Sequence, residues 1–207
     1  MSDPSPTIYI VDDDEAMRDS MTWFLEGEGY AVTAFASGAA FLAARHDGMR
    51  GCLVLDVRMP DMSGLELHER LDDLGSTLPI IFVTGHGDVP MAVSALQRGA
   101  CDFIEKPFNN DDMLTRIRRA LELDAQLTAR RQRENVISHR IEQLTPRELE
   151  VLRLVVAGRL NKQIADQMNI SMKTVEAHRA RVMEKMGVRT LAELVKAAMA
   201  LEKDDSA

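Results

Sequence analysis

The feature that most constrains the fold is an alternation in the first 125 residues, where short apolar runs are each followed by a longer stretch with helical spacing. Apolar runs at Thr7–Val11, Ala31–Phe35, Cys52–Leu55, Pro79–Val83 and Asp102–Ile104 predict five strands. Between them, Glu15–Glu26, Ala39–Ala44, Gly64–Leu74 and Val89–Arg98 carry apolar residues at helical intervals, and Asp111–Leu123 follows the last strand. Runs without strict polar alternation suit strands buried on both faces. With right-handed crossovers, five βα units then give an α/β doubly wound, five-stranded parallel sheet.

The charge is divided unevenly. Residues 1–125 hold 22 acidic and 10 basic residues, net −12, whereas residues 126–207 hold 11 and 15, net +4, together the −8 of the whole chain. Two domains are implied, of which only the second would be drawn to a polyanion. Cys52 and Cys101 lie in apolar contexts without metal-ligand or redox spacing, and both are expected in the core. The N-terminus lacks the basic and apolar regions of a signal peptide, and no apolar run reaches transmembrane length. A cytoplasmic protein is expected, for which the sequon at Asn169 carries no meaning.

Glu122–Gln143 is polar, rich in both charges and free of proline and glycine, which predicts a helical linker that can continue the preceding helix. Four helices follow. Thr145 caps the first, with Pro146 at its opening position and Glu148 completing a capping box, and Gly158 ends it. Asn161 can cap a second helix ending near Met168. Ser171 can cap a third running to about Met186 before Gly187, and Thr190 with Glu193 forms the capping box of a fourth. The expected boundaries are residues 1–121, a linker over 122–143, and an all-α four-helix domain over 144–207.

Ligands of open α/β sheets bind beyond the carboxyl ends of the strands, so the residues that follow the apolar runs matter most. Asp12 and Asp13 follow the first strand, Asp56 the third, Thr84 the fourth and Lys106 the fifth. Three converging carboxylates would repel one another and raise at least one pKa unless a cation joined them, and hard oxygen ligands suit Mg2+ better than zinc. Lys106 could neutralise phosphoryl charge, the Thr84 hydroxyl could donate to another oxygen, and Asp56 would be the nucleophile that forms an acyl phosphate. Singly, each residue has a plainer reading. An acidic pair before a helix complements its dipole, as Asp14 and Glu15 would, Asp56 could open a turn, and Lys106 could be a solvated charge. Their joint placement after successive strands favours the site. Gly85–Gly87 lacks the spacing and lysine of a phosphate loop, and His86 is read as structural or exposed.

The strings VDDD, LDVRMPDMSG, the threonine of VTGHGD and the lysine of DFIEKPF resemble the receiver domain of two-component response regulators over about 120 residues. The resemblance implies a flavodoxin-like fold. It also implies a sensor histidine kinase as phosphoryl donor to Asp56, and magnesium held by Asp12, Asp13, Asp56 and the Arg58 backbone carbonyl. Phe103 would be the switch aromatic that turns inward as Thr84 moves, although an ordinary core phenylalanine accounts for the same residue.

In the basic half, Ile164–Met186 has helix-turn-helix spacing, with Val175, Val182 and Met186 on one face of the second helix, although an amphipathic helix with a solvated charged face accounts for the same pattern. LTPRELEVLRLVVAGRLNKQIADQMNISMKTVEAHRARVMEKMGV resembles the LuxR/NarL-type DNA-binding domain, and both halves together resemble the FixJ branch. By that resemblance Glu176, Ala177 and Ala180 face base edges, while Lys162, Lys173, Thr174, Arg179 and Lys185 are candidates for the DNA backbone. His178 is read as a packing residue.

The expected function is a response regulator transcription factor. The resemblance implies that phosphorylation of Asp56 promotes homodimerisation through the fourth helix, fifth strand and fifth helix, then binding to promoter DNA and contact with RNA polymerase. The protein would catalyse at most its own phosphorylation and dephosphorylation. A haloacid-dehalogenase-type phosphatase is the enzymatic rival, but Arg58 stands where its second aspartate belongs. A module that binds protein or RNA is the other rival.

Overall fold

The structure is a computed structural model that describes residues 5–85 and 100–202. The chain divides into two compact units, one ending at Thr128 and one beginning at Ala129. The first contains β1 (Thr7–Val11), α1 (Glu15–Gly27), β2 (Ala31–Phe35), α2 (Gly38–Ala44), β3 (Gly51–Asp56), α3 (Gly64–Asp73), β4 (Ile80–Thr84) and β5 (Asp102–Glu105). Helix α4 (Asn110–Glu142) follows and carries the chain into the second unit. The helix expected over Val89–Arg98 lies outside the described residues, as do His86 and Gly87.

The five strands form one parallel sheet in the order β2-β1-β3-β4-β5. This is the doubly wound arrangement, with its reversal of strand order between β1 and β3. Successive side chains point to opposite faces, and both faces are covered. Ile8, Ile10, Cys52, Val54, Ile81 and Val83 pack with Met21 and Leu25 of α1 and Met113 and Ile117 of α4. Tyr9, Val11, Leu53, Leu55 and Phe82 pack with Phe41 of α2 and Leu67 and Leu71 of α3. This double burial explains the uninterrupted apolar runs. Cys52 is buried as expected, but Cys101 is only partly buried, because it precedes β5 at the sheet edge.

Both loops that shape the site end in capped helices. Asp14 caps α1, its Oδ1 accepting from the amides of Ala16 and Met17, and its own amide donates to Asp12 Oδ1 at 2.9 Å. Ser63 caps α3 in a capping box with Glu66, whose carboxylate accepts from the Ser63 amide and is held below the usual carboxylate range by that bond.

The second unit contains α5 (Pro146–Val156), α6 (Asn161–Met168), α7 (Met172–Met186) and α8 (Leu191–Glu202). Thr145 and Glu148 form the expected capping box of α5, Ser171 caps α7, and Glu193 and Thr190 exchange bonds at the start of α8. Asn161 departs from expectation. It is the first helical residue of α6, not its cap. Leu160 takes the extended cap conformation, and its amide donates to Gln163 Oε1 at 2.9 Å. Asn169, left-handed at φ 54°, turns the chain from α6 towards α7. Val151, Val155, Ile164, Met168, Val175, Val182, Met186 and Leu194 form the core, and Ile137 and Ile141 at the end of α4 pack against it.

Candidate functional site

The carboxyl ends of β1 and β3 bring Asp12, Asp13 and Asp56 together, with one oxygen of each within 4.8 Å of the others. Asp12 and Asp56 are buried and Asp13 is exposed. From the end of β5, Lys106 Nζ donates to Asp12 Oδ2 and Asp56 Oδ2, both at 3.0 Å. The arrangement thus contains two buried carboxylates bridged by one ammonium and a third carboxylate at the mouth.

Burial pushes the Asp56 carboxyl above its usual pKa, outweighing the Lys106 hydrogen bond and charge, while neighbouring Asp12 adds to the rise and the Arg58 amide opposes it. The expectation of a raised carboxyl pKa is met, but desolvation contributes more than repulsion between carboxylates. Burial also works against the Lys106 charge, yet the bonds from Asp12 and Asp56 outweigh it and raise its pKa. Lys106 therefore remains a cation.

Thr84 ends β4, fully buried, and its hydroxyl donates to the Gly85 carbonyl at 3.4 Å. Phe103, on β5, is partly buried against the core of the α2/α3 face, and its carbonyl accepts from Arg116 Nε at 2.8 Å. The Arg58 amide donates to Asp56 Oδ1 at 3.3 Å, so the peptide just after β3 borders the carboxylate. Three carboxylate oxygens, one at the surface and open to water, form a donor set suited to a small hard divalent cation.

Two groups beside this site have roles that the sequence does not reveal. The Arg18 guanidinium, one turn into α1, donates to the Asp12 carbonyl at 2.8 Å, bracing the loop that presents Asp12 and Asp13. At Gly64 an added Cβ would lie 2.2 Å from the Asp56 carbonyl oxygen. Only glycine lets α3 start so close to the end of β3, where the Gly64 amide donates to the Val57 carbonyl. Gly64 is visible in LDVRMPDMSG, but its reason is not.

In the second unit, α7 presents Lys173, Thr174, Glu176, Ala177 and Ala180 at the surface, and Lys162 is exposed near the start of α6. Val175, Val182 and Met186 are buried on the opposite side, as their spacing predicts. Two of the expected backbone cations are engaged within the unit. Arg179, partly buried, donates from Nη1 to Asn161 Oδ1 at 2.8 Å. Lys185 donates to Glu148 Oε2 at 2.6 Å and to the Gln143 carbonyl at 3.2 Å. Glu148 is only 2% exposed, and its carboxyl is held at about 2, first by Lys185 and then by the Thr145 amide. Lys185 thus ties α7 to the start of α5, a role its sequence position does not reveal. His178 is partly buried, and its Nδ1 has no hydrogen-bond partner among the described residues.

No helix among the described residues is long and apolar enough to cross a membrane. The family described as response regulator receiver domain matches residues 8–118, and the luxR family of bacterial regulatory proteins matches residues 142–198. The chain is 48% identical over 194 residues to the transcriptional regulatory protein FixJ of Rhizobium meliloti, covering 94% of this chain and 95% of that protein. It is 43% identical to the response regulator protein TodT of Pseudomonas putida, covering 95% of this chain and 86% of that one. Among solved structures, the response regulator StyR matches with a TM-score of 0.83 at 40% identity, covering 95% of this chain and 99% of that one. Full-length FixJ from B. japonicum matches with a TM-score of 0.59 at 42% identity, covering 96% and 98%. The chain therefore belongs to the two-component response regulators that join a receiver domain to a LuxR-type helix-turn-helix DNA-binding domain, a family of transcription regulators.

Proposed function

We propose that Asp56 accepts a phosphoryl group from a phosphohistidine of a sensor kinase, and that this modification promotes dimerisation and sequence-specific DNA binding. The observation that carries the reading is the convergence of Asp12, Asp13 and Asp56 within 4.8 Å, with Lys106 bridging two of them. An Asp56 oxygen attacks phosphorus, the bond from phosphorus to the imidazole nitrogen breaks, and its electron pair stays on the imidazole. Asp12, Asp13, Asp56 and the Arg58 carbonyl would hold Mg2+, which supplies positive charge beside the transferring phosphoryl oxygens. Lys106 exchanges its bond to Asp56 Oδ2 for a phosphoryl oxygen, and the Thr84 hydroxyl leaves the Gly85 carbonyl to donate to another. Phe103 follows Thr84 inward.

Hydrolysis of the acyl phosphate at the same site resets the switch, so the chemistry is a single charge and discharge of Asp56 and not turnover of a substrate pool. Lys162, Lys173, Thr174, Arg179 and Lys185 contact the DNA backbone, and Glu176, Ala177 and Ala180 face base edges. The bound dimer then contacts RNA polymerase. Treating the wild type with a small-molecule phosphodonor and Mg2+ is expected to add one phosphoryl group per chain and shift sedimentation towards a dimer. Asp56→Asn is expected to do neither, and dimerisation of that variant under phosphodonor would refute the mechanism.

A further inference from the structure

We propose that Asn161 is a positioning residue for DNA binding, holding the guanidinium of Arg179 in the orientation in which it meets a DNA phosphate. The inference rests on the reading of Arg179 as a backbone contact. An asparagine just before a helical pattern is expected to cap the helix, yet the cap of α6 is formed without it, by Leu160 and Gln163. Its side-chain oxygen instead accepts from Arg179 Nη1, 18 residues further on and in the next helix, at 2.8 Å.

Both residues are partly buried, whereas Lys162, Glu176, Ala177 and Ala180 around them are exposed. The bond therefore lies at the border between the packed seam of α6 and α7 and the face assigned to DNA. A long arginine side chain at such a border has many rotamers, and its ordering cost falls on binding unless something orders it beforehand. One of the five N–H donors of the guanidinium is committed to Asn161, which fixes the plane of the fork for the donors that remain.

The chemistry of the acceptor agrees with this role. A carboxylate at position 161 would bind the guanidinium more strongly, but it would cancel the charge that a phosphate must attract. An amide oxygen orients the cation and leaves its charge intact.

The test is a double-mutant cycle on the full-length protein, using a labelled mixed-sequence duplex as probe, because non-specific affinity reports phosphate contacts. Asn161→Ala is expected to weaken binding about three- to tenfold, the range for ordering one such side chain. Asn161→Ser, too short to reach Arg179, is expected to do the same if the alanine variant is poorly folded. Arg179→Ala is expected to weaken binding and to lower the slope of log affinity against log salt by about 0.9 per bound subunit. In the Arg179→Ala background, Asn161→Ala should then have no further effect on affinity.

Unchanged affinity in both Asn161 variants, or an equal loss with and without Arg179, would overturn the positioning role while leaving Arg179 as a DNA contact. Unchanged affinity and salt slope in Arg179→Ala would overturn the contact itself, and the positioning role with it. Thermal unfolding separates a purely structural bond, which would lower the unfolding midpoint of both single variants without the coupling in DNA affinity.

Discussion

Glu148 shows how one side chain can serve two masters. It closes the capping box of α5 and also carries the countercharge to Lys185, and these bonds depress its carboxyl to about 2 from an ordinary 4.5. A carboxyl depressed in the folded state adds stability that is fully present above its unfolded pKa and is lost as pH falls through the folded value. The contribution should therefore disappear between about pH 4.5 and pH 2. Glu148→Gln is expected to cost about 1–3 kcal/mol at neutral pH, as for a buried charged hydrogen bond left incomplete. Denaturant unfolding of both proteins across that interval should show their curves converging as pH falls; a constant gap would mean that Glu148 is not the titrating group. Gly64 makes a second test at this scale. Gly64→Ala places a methyl 2.2 Å from the Asp56 carbonyl, so the end of β3 must shift, and phosphodonor labelling of Asp56 is expected to slow at least tenfold while the far-ultraviolet circular dichroism stays unchanged. The two residues also mark what could be read in advance. Glu148 was legible as a cap because capping boxes are local in sequence, but its partner lies 37 residues away and its burial is a tertiary fact. Asp12, Asp13, Asp56 and Lys106 were legible as a group because parallel strands bring their carboxyl termini to one end of the sheet.

At the scale of elements, strand positions were readable to within about a residue: double burial writes the apolar runs of β1, β3 and β4, whereas β2, at the sheet edge, is exposed at three of its five positions and yet carries a run as long as that of β1. Asn161 was misread because asparagine before a helical pattern favours a cap, whereas a bond to Arg179 in another helix leaves no local trace. The end of α4 was equally silent. Its helical continuation through the linker was foreseen, but not that Arg140 donates to the Met186 carbonyl at 2.7 Å, at the C-terminus of α7. Such a cation complements the helix dipole and satisfies an orphan carbonyl. The guanidinium also crowds the place of a Cβ on Gly187, which would lie 2.9 to 3.1 Å from its atoms. Gly158 supplies an internal control, because it too has a positive φ, 75° against 64°, but nothing within 4 Å of an added Cβ. Gly158→Ala is expected to cost about 1 kcal/mol of backbone strain. Gly187→Ala should cost measurably more, because it also displaces Arg140, and Arg140→Ala should bring the two costs together. Denaturant unfolding of Gly158→Ala, Gly187→Ala, Arg140→Ala and the double variant Arg140→Ala with Gly187→Ala decides the matter, and equal costs for the two glycines in the wild-type background would remove Arg140 from the account.

Across the whole molecule, the separation of charge tells how the output should respond to salt. The first 125 residues carry net −12 and the rest net +4, so affinity for a polyanion must come from a modest number of placed cations in the second unit. A single copy with so few phosphate contacts is expected to bind weakly and to show a shallow dependence on salt. If phosphorylation of Asp56 brings two chains together on one duplex, the number of phosphates neutralised doubles while the contacts of each chain are unchanged. The slope of log affinity against log salt should then approximately double, and the affinity should rise further because the second contact is made at the high effective concentration set by the first. An allosteric change confined to one chain would behave differently: it would raise affinity at a fixed salt concentration with one chain per duplex. Titrating a labelled duplex across a salt series, with and without phosphodonor, separates these outcomes. A doubled slope with two chains per duplex supports the dimer mechanism, and an unchanged slope with one chain per duplex would replace it with a switch inside the monomer. Asp56→Asn should follow the shallow line under both conditions, which ties the change in slope to the carboxylate at the end of β3.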